Sequence, residues 1–546
     1  MPVPVSPTIT SPVSRRVPAA NRGILADPSL THAVKLAHDT QRAVTACHTP
    51  IAGISLADWK QQSVDDTLLA AVEYAEETGR VPPSHLSAGP LLVGGHQPTL
   101  FHCGVLVKNF ALARLARRLD GTALNLIVDS DIAAPLHLSV PDGSRDQPAT
   151  RLVPFTTDTA ARPWEDLRSD LSAAFTAFPD RVSDALARWG IDPLLTRIWP
   201  SAIAAAEAGR GLAECLSAAR IAMQDRMGHG TLELPISRLA TRPPFLRFMA
   251  MSLLEAERFA ESHNRALSAY RIANNVRSRT HPAADLCWHE GWLETPFWCW
   301  HSGDTHRRRL LTQVTPTSIR LSDGSGFNVQ WALDSGHNLD RLATALGGWQ
   351  ESGLRIRPSA LSTTLFARVF LADLFIHGIG GSKYDEVTDS LMADFFGISP
   401  PPYLTLSGTL HLPLGGPFDV SSVDRSQLTS RRRRMLYNAQ EFLDASQASE
   451  LVERKTSLIE RQNRDKRDTS ETSRQKRRQR FQEFRAVNHE LTRHTIGARQ
   501  ALDGELQRLD RQLDANSVLT NREFSFCLFP EELLGSFLDE ALSELE

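Results

Sequence analysis

With 546 residues, the chain is too long for one hydrophobic core and calls for two or three domains. Its hydrophobic share of 41% and charged share of 23% are ordinary for a globular protein, and a net charge of −3 excludes a molecule that is basic throughout. Six cysteines scattered at 47, 103, 215, 287, 299 and 527 fit a reducing cytoplasm better than a disulfide framework.

Residues 1–25, rich in Pro, Ser and Thr, read as a flexible arm. Residues 1–21 lack the apolar centre of a secretion signal, and no later stretch is long and apolar enough to span a bilayer. The expectation is a cytoplasmic protein without a membrane partner. Two helices are predicted over about 31–46 and 56–78, the second carrying Leu68, Leu69, Val72 and Tyr74.

Residues 91–131 then read as a βαβ unit. Leu91, Leu92 and Val93 form a buried strand that Gly94-Gly95 stops. From Val105 to Leu119 the positions Leu106, Phe110, Ala113 and Leu115 keep helical spacing, which leaves Lys108, Arg114, Arg117 and Arg118 for water. Gly121 follows the helix, and Ala123 to Val128 makes a second strand ending in Asp129-Ser130-Asp131. Such a unit closes right-handed, with both loops on the sheet edge where ligands bind.

After it, Pro141-Asp142-Gly143 is a turn signal. Residues 160–260 read as mostly helical, with amphipathic runs near 183–189, 202–226 and 246–270. Trp288, Trp292, Trp298 and Trp300 open a stretch of strands and hairpins over 285–330, with Asp323-Gly324-Ser325-Gly326 as a turn. Residues 338–397 return to α/β patterning, and the apolar run Leu365 to Ile376 feeds the loop His377-Gly378-Ile379-Gly380-Gly381-Ser382-Lys383.

From 424 to 515 the composition turns polar. Phe481, Phe484, Leu491, Ala498, Leu502, Leu506, Leu509 and Leu513 recur at spacings that mostly add to seven, a coiled-coil seam. A weaker stripe runs through Leu436, Leu443, Leu451 and Leu458, so an antiparallel helical hairpin is expected, with its tip over 461–473. Phe524 to Leu542 is expected to fold back onto the body. The predicted division is an arm (1–25), the first half of the core (26–155), inserted helical and Trp-rich segments (156–345), the second half of the core (346–423), the hairpin (424–515) and a returning segment (516–546).

Several constellations could carry chemistry. Gly94-Gly95 would let backbone N–H groups approach an anion, with the following helix aiming its positive end there; His96 and Gln97 add a titratable group and an amide, and His102 is a weaker companion. A tight turn with a capping histidine explains that motif about as well. Asp129 and Asp131 flank Ser130, so on extended backbone both carboxylates point one way, to hold a metal, a ribose or an amine or to act as base; a structural cap is the equal alternative. Arg357-Pro358-Ser359 precedes a helix, and Gly380-Gly381-Ser382-Lys383-Tyr384-Asp385 follows a strand without Walker spacing. Cys287, His289, Cys299 and His301 repeat a Cys-x-His pattern that could close on zinc, but the spacing matches no common finger and the interleaved tryptophans read as core. Over 424–515, 21 Lys and Arg stand against 15 Asp and Glu; solvated helix flanks explain this better than nucleic-acid binding, because no interleaved aromatics offer stacking platforms.

GGHQPTLFHCG before a helix, a strand ending in VDSD, the later stretch IRPSALSTTLFARVFLADLFIHGIGGSKYDEVTDSLMADFFGI and a coiled coil together resemble the cysteine-adding enzyme of bacillithiol biosynthesis. In that family a strand leads into a Gly-Gln-Gln-x-Gly-Leu-Phe loop, a second strand ends in Glu-Asp-His-Asp, and a Gly-Gly-Pro-Gly-Glu loop follows later. Gly95, Gln97, Leu100 and Phe101 match the first motif, with His96 and Thr99 replacing a glutamine and a glycine. Asp129 and Asp131 match two acidic positions around Ser130, and Gly380-Gly381 match the later glycine pair, which Ser382-Lys383-Tyr384 follow in place of Pro-Gly-Glu.

The resemblance implies an α/β fold: a Rossmann-like parallel-sheet core, similar to class I aminoacyl-tRNA synthetases, with helical and β insertions and a C-terminal antiparallel coiled coil through which the protein forms a homodimer. It also implies a ligase joining a cysteine-like amino acid to a carboxylate- or sugar-bearing acceptor. In that reading His96, Asp129, Asp131 and Lys383 are catalytic; Gly94, Gly95, Gln97, His102, Arg357, Ser359, Gly380, Gly381, Ser382 and Tyr384 bind substrate. A nucleotidyltransferase using ATP and magnesium, and a dimeric scaffold with a vestigial site, are the competing expectations.

Overall fold

The apolar runs that begin at Leu91 and Ala123 do form adjacent buried strands, and four more strands join them in a mostly parallel six-stranded sheet. The computed structural model describes residues 15–83, 86–158, 161–169, 171–334, 336, 338–444, 446–464 and 471–545. In chain order the strands are β1 (Ile24–Asp27), β2 (Leu91–His96), β3 (Thr122–Ile127), β4 (Leu232–Pro235), β5 (Leu374–His377) and β6 (Tyr403–Gly408). Their spatial order is β1-β6-β5-β2-β3-β4. All neighbours pair in parallel except β1, which closes the edge antiparallel to β6. The α/β class is therefore observed. Residues 1–14 of the expected arm lie outside the described residues, whereas Arg15 pairs with Asp27 at 2.7 Å and Ile24–Asp27 is a strand of the sheet.

Helices that pack around this sheet include α1 (Leu56–Glu77), α2 (Cys103–Arg118), α3 (Ala360–Phe370) and α4 (Ile379–Leu391). At the start of the strands, Lys60 of α1 reaches Asp373 at 2.7 Å and Asp373 accepts the Leu91 N–H at 2.8 Å, tying the entries of β2 and β5 together. Helix α2 is covered on every side from Cys103 to Ala116, so Lys108 and Arg114, expected in water, are 5% and 8% exposed, while Arg117 and Arg118 in its last turn are exposed as expected. Val105, Val107, Ala111 and Leu112 make that helix apolar all round, the pattern of a buried helix rather than a half-wet one.

The Trp-rich stretch forms a separate antiparallel sheet in the order 328–332, 318–322, 308–314, 292–301 and 354–358. Asp323 accepts three backbone N–H groups in the hairpin between 318–322 and 328–332. The turn expected at Pro141-Asp142-Gly143 is displaced: those residues lie within the strand His137–Ser144, and the chain reverses at Arg145-Asp146. Gly143, at φ +80°, supplies an irregularity in the strand instead. No helix among the described residues is long and apolar enough to cross a membrane.

The chain divides into two units, one of residues 1–140, 151–412 and 522–546, the other of 141–150 and 413–521. The returning C-terminal segment thus belongs to the first unit, where it forms the helix Glu531–Ala541. The second unit carries α5 (Ser422–Tyr437), α6 (Ser449–Arg464), α7 (Glu471–Arg493) and α8 (Ile496–Leu519). Ion pairs Arg425–Asp510 and Arg432–Asp503 set α5 antiparallel to α8. Lys455 of α6 donates to Asn488 of α7 at 2.7 Å and to Gln440 at 2.8 Å, above a small core of Leu458, Val487 and Leu491. The expected seven-residue seam is interrupted. Helix α7 stops before His494-Thr495, which shifts the phase, so Leu491, Leu502 and Leu509 are buried while Phe481 and Ala498 are exposed. Leu443 lies between helices, and residues 465–470 of the expected tip lie outside the described residues.

Candidate functional site

Parallel strands end together, so the loops after β2, β3 and β5 meet at one edge of the sheet, and three helices begin there. A cavity of about 530 Å³ opens at that edge. Gly95, His96, Gln97, His102, Asp131, Gly380, Gly381 and Tyr384, singled out in the sequence, line it together. The starts of α2 (Gly104, Val105), α3 (Ala360, Leu361) and α4 (Gly378, Ile379) complete the wall. Segments some 250 positions apart thus share one hollow within the first unit.

Each lining group has a defined environment. His96 Nδ1 lies 3.2 Å from the Gln97 carbonyl, and burial with Lys108 nearby pushes its pKa down to about 3, so the ring is neutral. Gln97 donates to Asp131 at 3.1 Å, and Arg307 from the Trp-rich sheet reaches the same carboxylate at 2.9 Å, its guanidinium over the Trp298 ring. His102 caps α2 by accepting the Gly104 N–H at 3.1 Å; burial and Arg522 lower its pKa to about 4. Helix α4 is capped by no side chain. Ser382 N–H makes the first helical bond, to Gly378 O, and the amides of Ile379, Gly380 and Gly381 have no partner among the described residues. Lys108 reaches the same place: its Nζ donates to Gly95 O at 3.3 Å, and a Cβ on Gly378 would stand 4.0 Å from its Cε. Burial alone brings Lys108 down to about 8.

Other residues named from the sequence serve elsewhere. Asp129 and Asp131 do not share a face, because the strand ends at Ile127 and the chain turns through Asp129-Ser130, cancelling the alternation of extended backbone. Asp129 is buried and accepts the Ser237 N–H at 2.9 Å; desolvation raises its pKa to about 7. Arg357 is buried in a two-pronged pair with Glu165 at 2.8 and 2.9 Å, so it neutralises a protein carboxylate rather than a ligand. Ser359 caps α3, and the Ser382 hydroxyl donates to Ile379 O at 3.0 Å. Lys383 is exposed and outside the lining, although Gly381 and Tyr384 belong to it. Gly94 and Gly95 lie inside β2 rather than in a loop: a Cβ on Gly94 would meet Leu112 at 2.9 Å, and one on Gly95 would meet the Leu126 carbonyl at 3.0 Å. Their smallness admits α2 and β3, and the anion-facing amides are those of α4. The Cys-x-His repeat does not converge: Cys299 is in the hydrophobic core, while Cys287, His289 and His301 are exposed. Among the described residues no three His, Cys, Asp or Glu side chains could hold a metal ion together.

Sequence reasoning missed Lys108, Arg307, Arg522 and the buried cluster of His377, Asp385 and Arg368. For Lys108 the signal was present, since a lysine on a helix apolar all round has no wet face to occupy. His377 was legible as the last residue of a buried strand, the position from which side chains enter the ligand edge. Nothing local marks Arg307 or Arg522, which arrive from distant segments.

Neither a protein-family model nor a curated protein matches this chain. The site's meaning therefore rests on its geometry and chemistry.

Proposed function

We propose that the cavity binds the phosphate or carboxylate of a small molecule, and that the protein is a ligase joining an amino compound to a carboxylate-bearing acceptor. The observation that carries this reading is Lys108, an ammonium withdrawn from water beside three unpartnered amides of α4. Helix starts attract anions through their free N–H groups and aligned dipoles, and a buried cation multiplies that attraction in a site of low dielectric. The cavity volume suits a metabolite-sized ligand. The strand order and the ligand edge support the Rossmann-like reading, and of the matched residues Gly95, Gln97, Asp131, Gly380 and Gly381 line the cavity while Leu100, Phe101 and Asp129 do not, which supports the likeness to the cysteine-adding enzyme in part.

ATP enters the same reading through its phosphates, which the α4 amides and Lys108 fit. Magnesium fits less well. Asp131 is engaged by Gln97 and Arg307, and Glu523 stands beside His102 and Arg522, so these lining carboxylates do not act together on one ion.

A thermal-shift panel of phosphate, pyrophosphate, ATP, malate and cysteine tests the reading, with neutral analogues of matched size as controls. Stabilisation by the anions and not by the neutral compounds is expected; equal response to both sets would count against it. We also propose that copies pair in the cytoplasm through a coiled coil of the second unit. The exposed Tyr437, Ile459, Phe481 and Ile496 on its helices support pairing, and six unpaired cysteines support a reducing compartment.

A further inference from the structure

We propose that His377, oriented by Asp385, is the proton acceptor of this cavity, taking one proton from the ammonium of the amino compound that the reaction joins. The proposal rests on the ligase reading and adds the group that reading lacks, since Lys108 and the α4 amides can hold an anion but none of them frees an amine.

The geometry is that of a base held from behind. His377 ends β5, lines the cavity and turns Nε2 against the Asp385 carboxylate. Asp385 is fixed in turn by Arg368 at 3.0 Å, and Arg368 is shared with Asp389 at 2.7 Å and lies 4.8 Å above the Tyr403 ring. Asp385 and Arg368 are each 1% exposed, so neither is free to answer a ligand directly. The imidazole is wedged between Phe375, with ring centroids 4.4 Å apart, and Tyr403, at 5.2 Å and near-perpendicular. We assign the hydrogen to Nε2, the nitrogen that lies against the carboxylate, which leaves the lone pair on Nδ1. That nitrogen faces the first turn of α4: a Cβ on residue 381 would stand 2.8 Å from it, and residue 381 is glycine. Gly380 and Gly381 themselves line the cavity, so the basic nitrogen and the anion-binding amides meet at one place.

In the step proposed, the ammonium R–NH3+ loses one proton to Nδ1 and becomes R–NH2 with its lone pair available. The imidazolium so formed faces Asp385, which offsets its charge. Burial, with Arg368 and Lys108 near, lowers the pKa of His377 against the raising effect of Asp385, so the resting ring is neutral and able to accept. A buried His–Asp pair can also be purely structural, and the test separates the two.

The experiment is side-chain NMR of the full-length protein labelled with nitrogen-15 in histidine, at pH 7, with the His377 signals assigned by His377→Gln. Expected are a hydrogen on Nε2, a bare Nδ1, and a shift of the Nδ1 signal when phosphoethanolamine, which carries both an ammonium and a phosphate, is added. Asp385→Asn should abolish the tautomer preference while inorganic phosphate still raises the melting temperature, a separation that simple loss of packing would not give; it also keeps the test alive if His377→Gln fails to fold. A hydrogen on Nδ1 of the wild type, or an Nδ1 signal unmoved by phosphoethanolamine while phosphate binds, would overturn the proposal. Failure of inorganic phosphate to bind at all would instead overturn the anion-site reading on which it rests.

Discussion

Lys108 sits on the covered part of its helix, and among the described residues its ammonium donates to one carbonyl. Withdrawing that charge from water weakens the fold unless a ligand answers it. Lys108→Met should therefore raise the melting temperature in anion-free buffer at pH 7, by a stability gain on the order of 1–2 kcal/mol. Because the folded-state pKa, about 8, lies below the unfolded value, the wild type gains stability as pH rises from about 8 towards 10.5, and the gap to the variant should close over that window. Asp129 works in the opposite direction. Its folded pKa of about 7 lies above the unfolded 3.8, so the folded state holds the extra proton between them and stability falls as pH rises across that range. Asparagine can keep an acceptor for the Ser237 N–H without the charge. Asp129→Asn should flatten the profile and gain on the order of 2 kcal/mol over wild type between pH 4 and pH 8, read by denaturant titration at both.

Glycines set how closely the elements around the cavity approach. A Cβ on Gly104 would stand 2.5 Å from the Gly408 carbonyl, a backbone atom of β6 that cannot step aside. Gly104→Ala should cost about 1–3 kcal/mol, visible as a lower denaturation midpoint with an unchanged slope. Gly381→Ala would press on the His377 ring, which Phe375, Tyr403 and Asp385 hold in place, so it should cost about 1–3 kcal/mol and move the His377 signals. The elements themselves were largely legible: the strands that begin at Leu91 and near Ala123, the helix after them and the Trp-rich hairpins follow from periodicity and turn chemistry. Their ends were less so. The Asp129–Asp131 alternation failed because the strand stopped at Ile127, two residues before Asp129, and the glycine pair at 94–95 was read as a loop because a strand glycine that admits a neighbour looks the same in sequence as one that admits a ligand. Lys383 was chosen for its charge, whereas three-dimensional packing brought Lys108 to the same cavity from a different helix.

At the scale of the whole molecule, the two units have different interiors. The sheet-bearing unit holds a large apolar core around β2, β3 and α3, while the helical unit relies on a small cluster around Leu458 and Leu491 with Lys455 buried above it. Calorimetry should show two transitions, with the helical unit melting first; Leu491→Ala should lower that transition and leave the other in place. If the helices pair between copies, light scattering should give twice the chain mass, and Phe481→Glu should return it to that of one chain. Isothermal titration of full-length wild type and Lys108→Met with pyrophosphate tests most directly whether the cavity holds an anion. The expected result is one site per chain in the wild type, weakened at least about tenfold in the variant, a loss of about 1.4 kcal/mol or more; equal binding by both proteins, or none by the wild type, would contradict an anion site built on Lys108 and the start of α4.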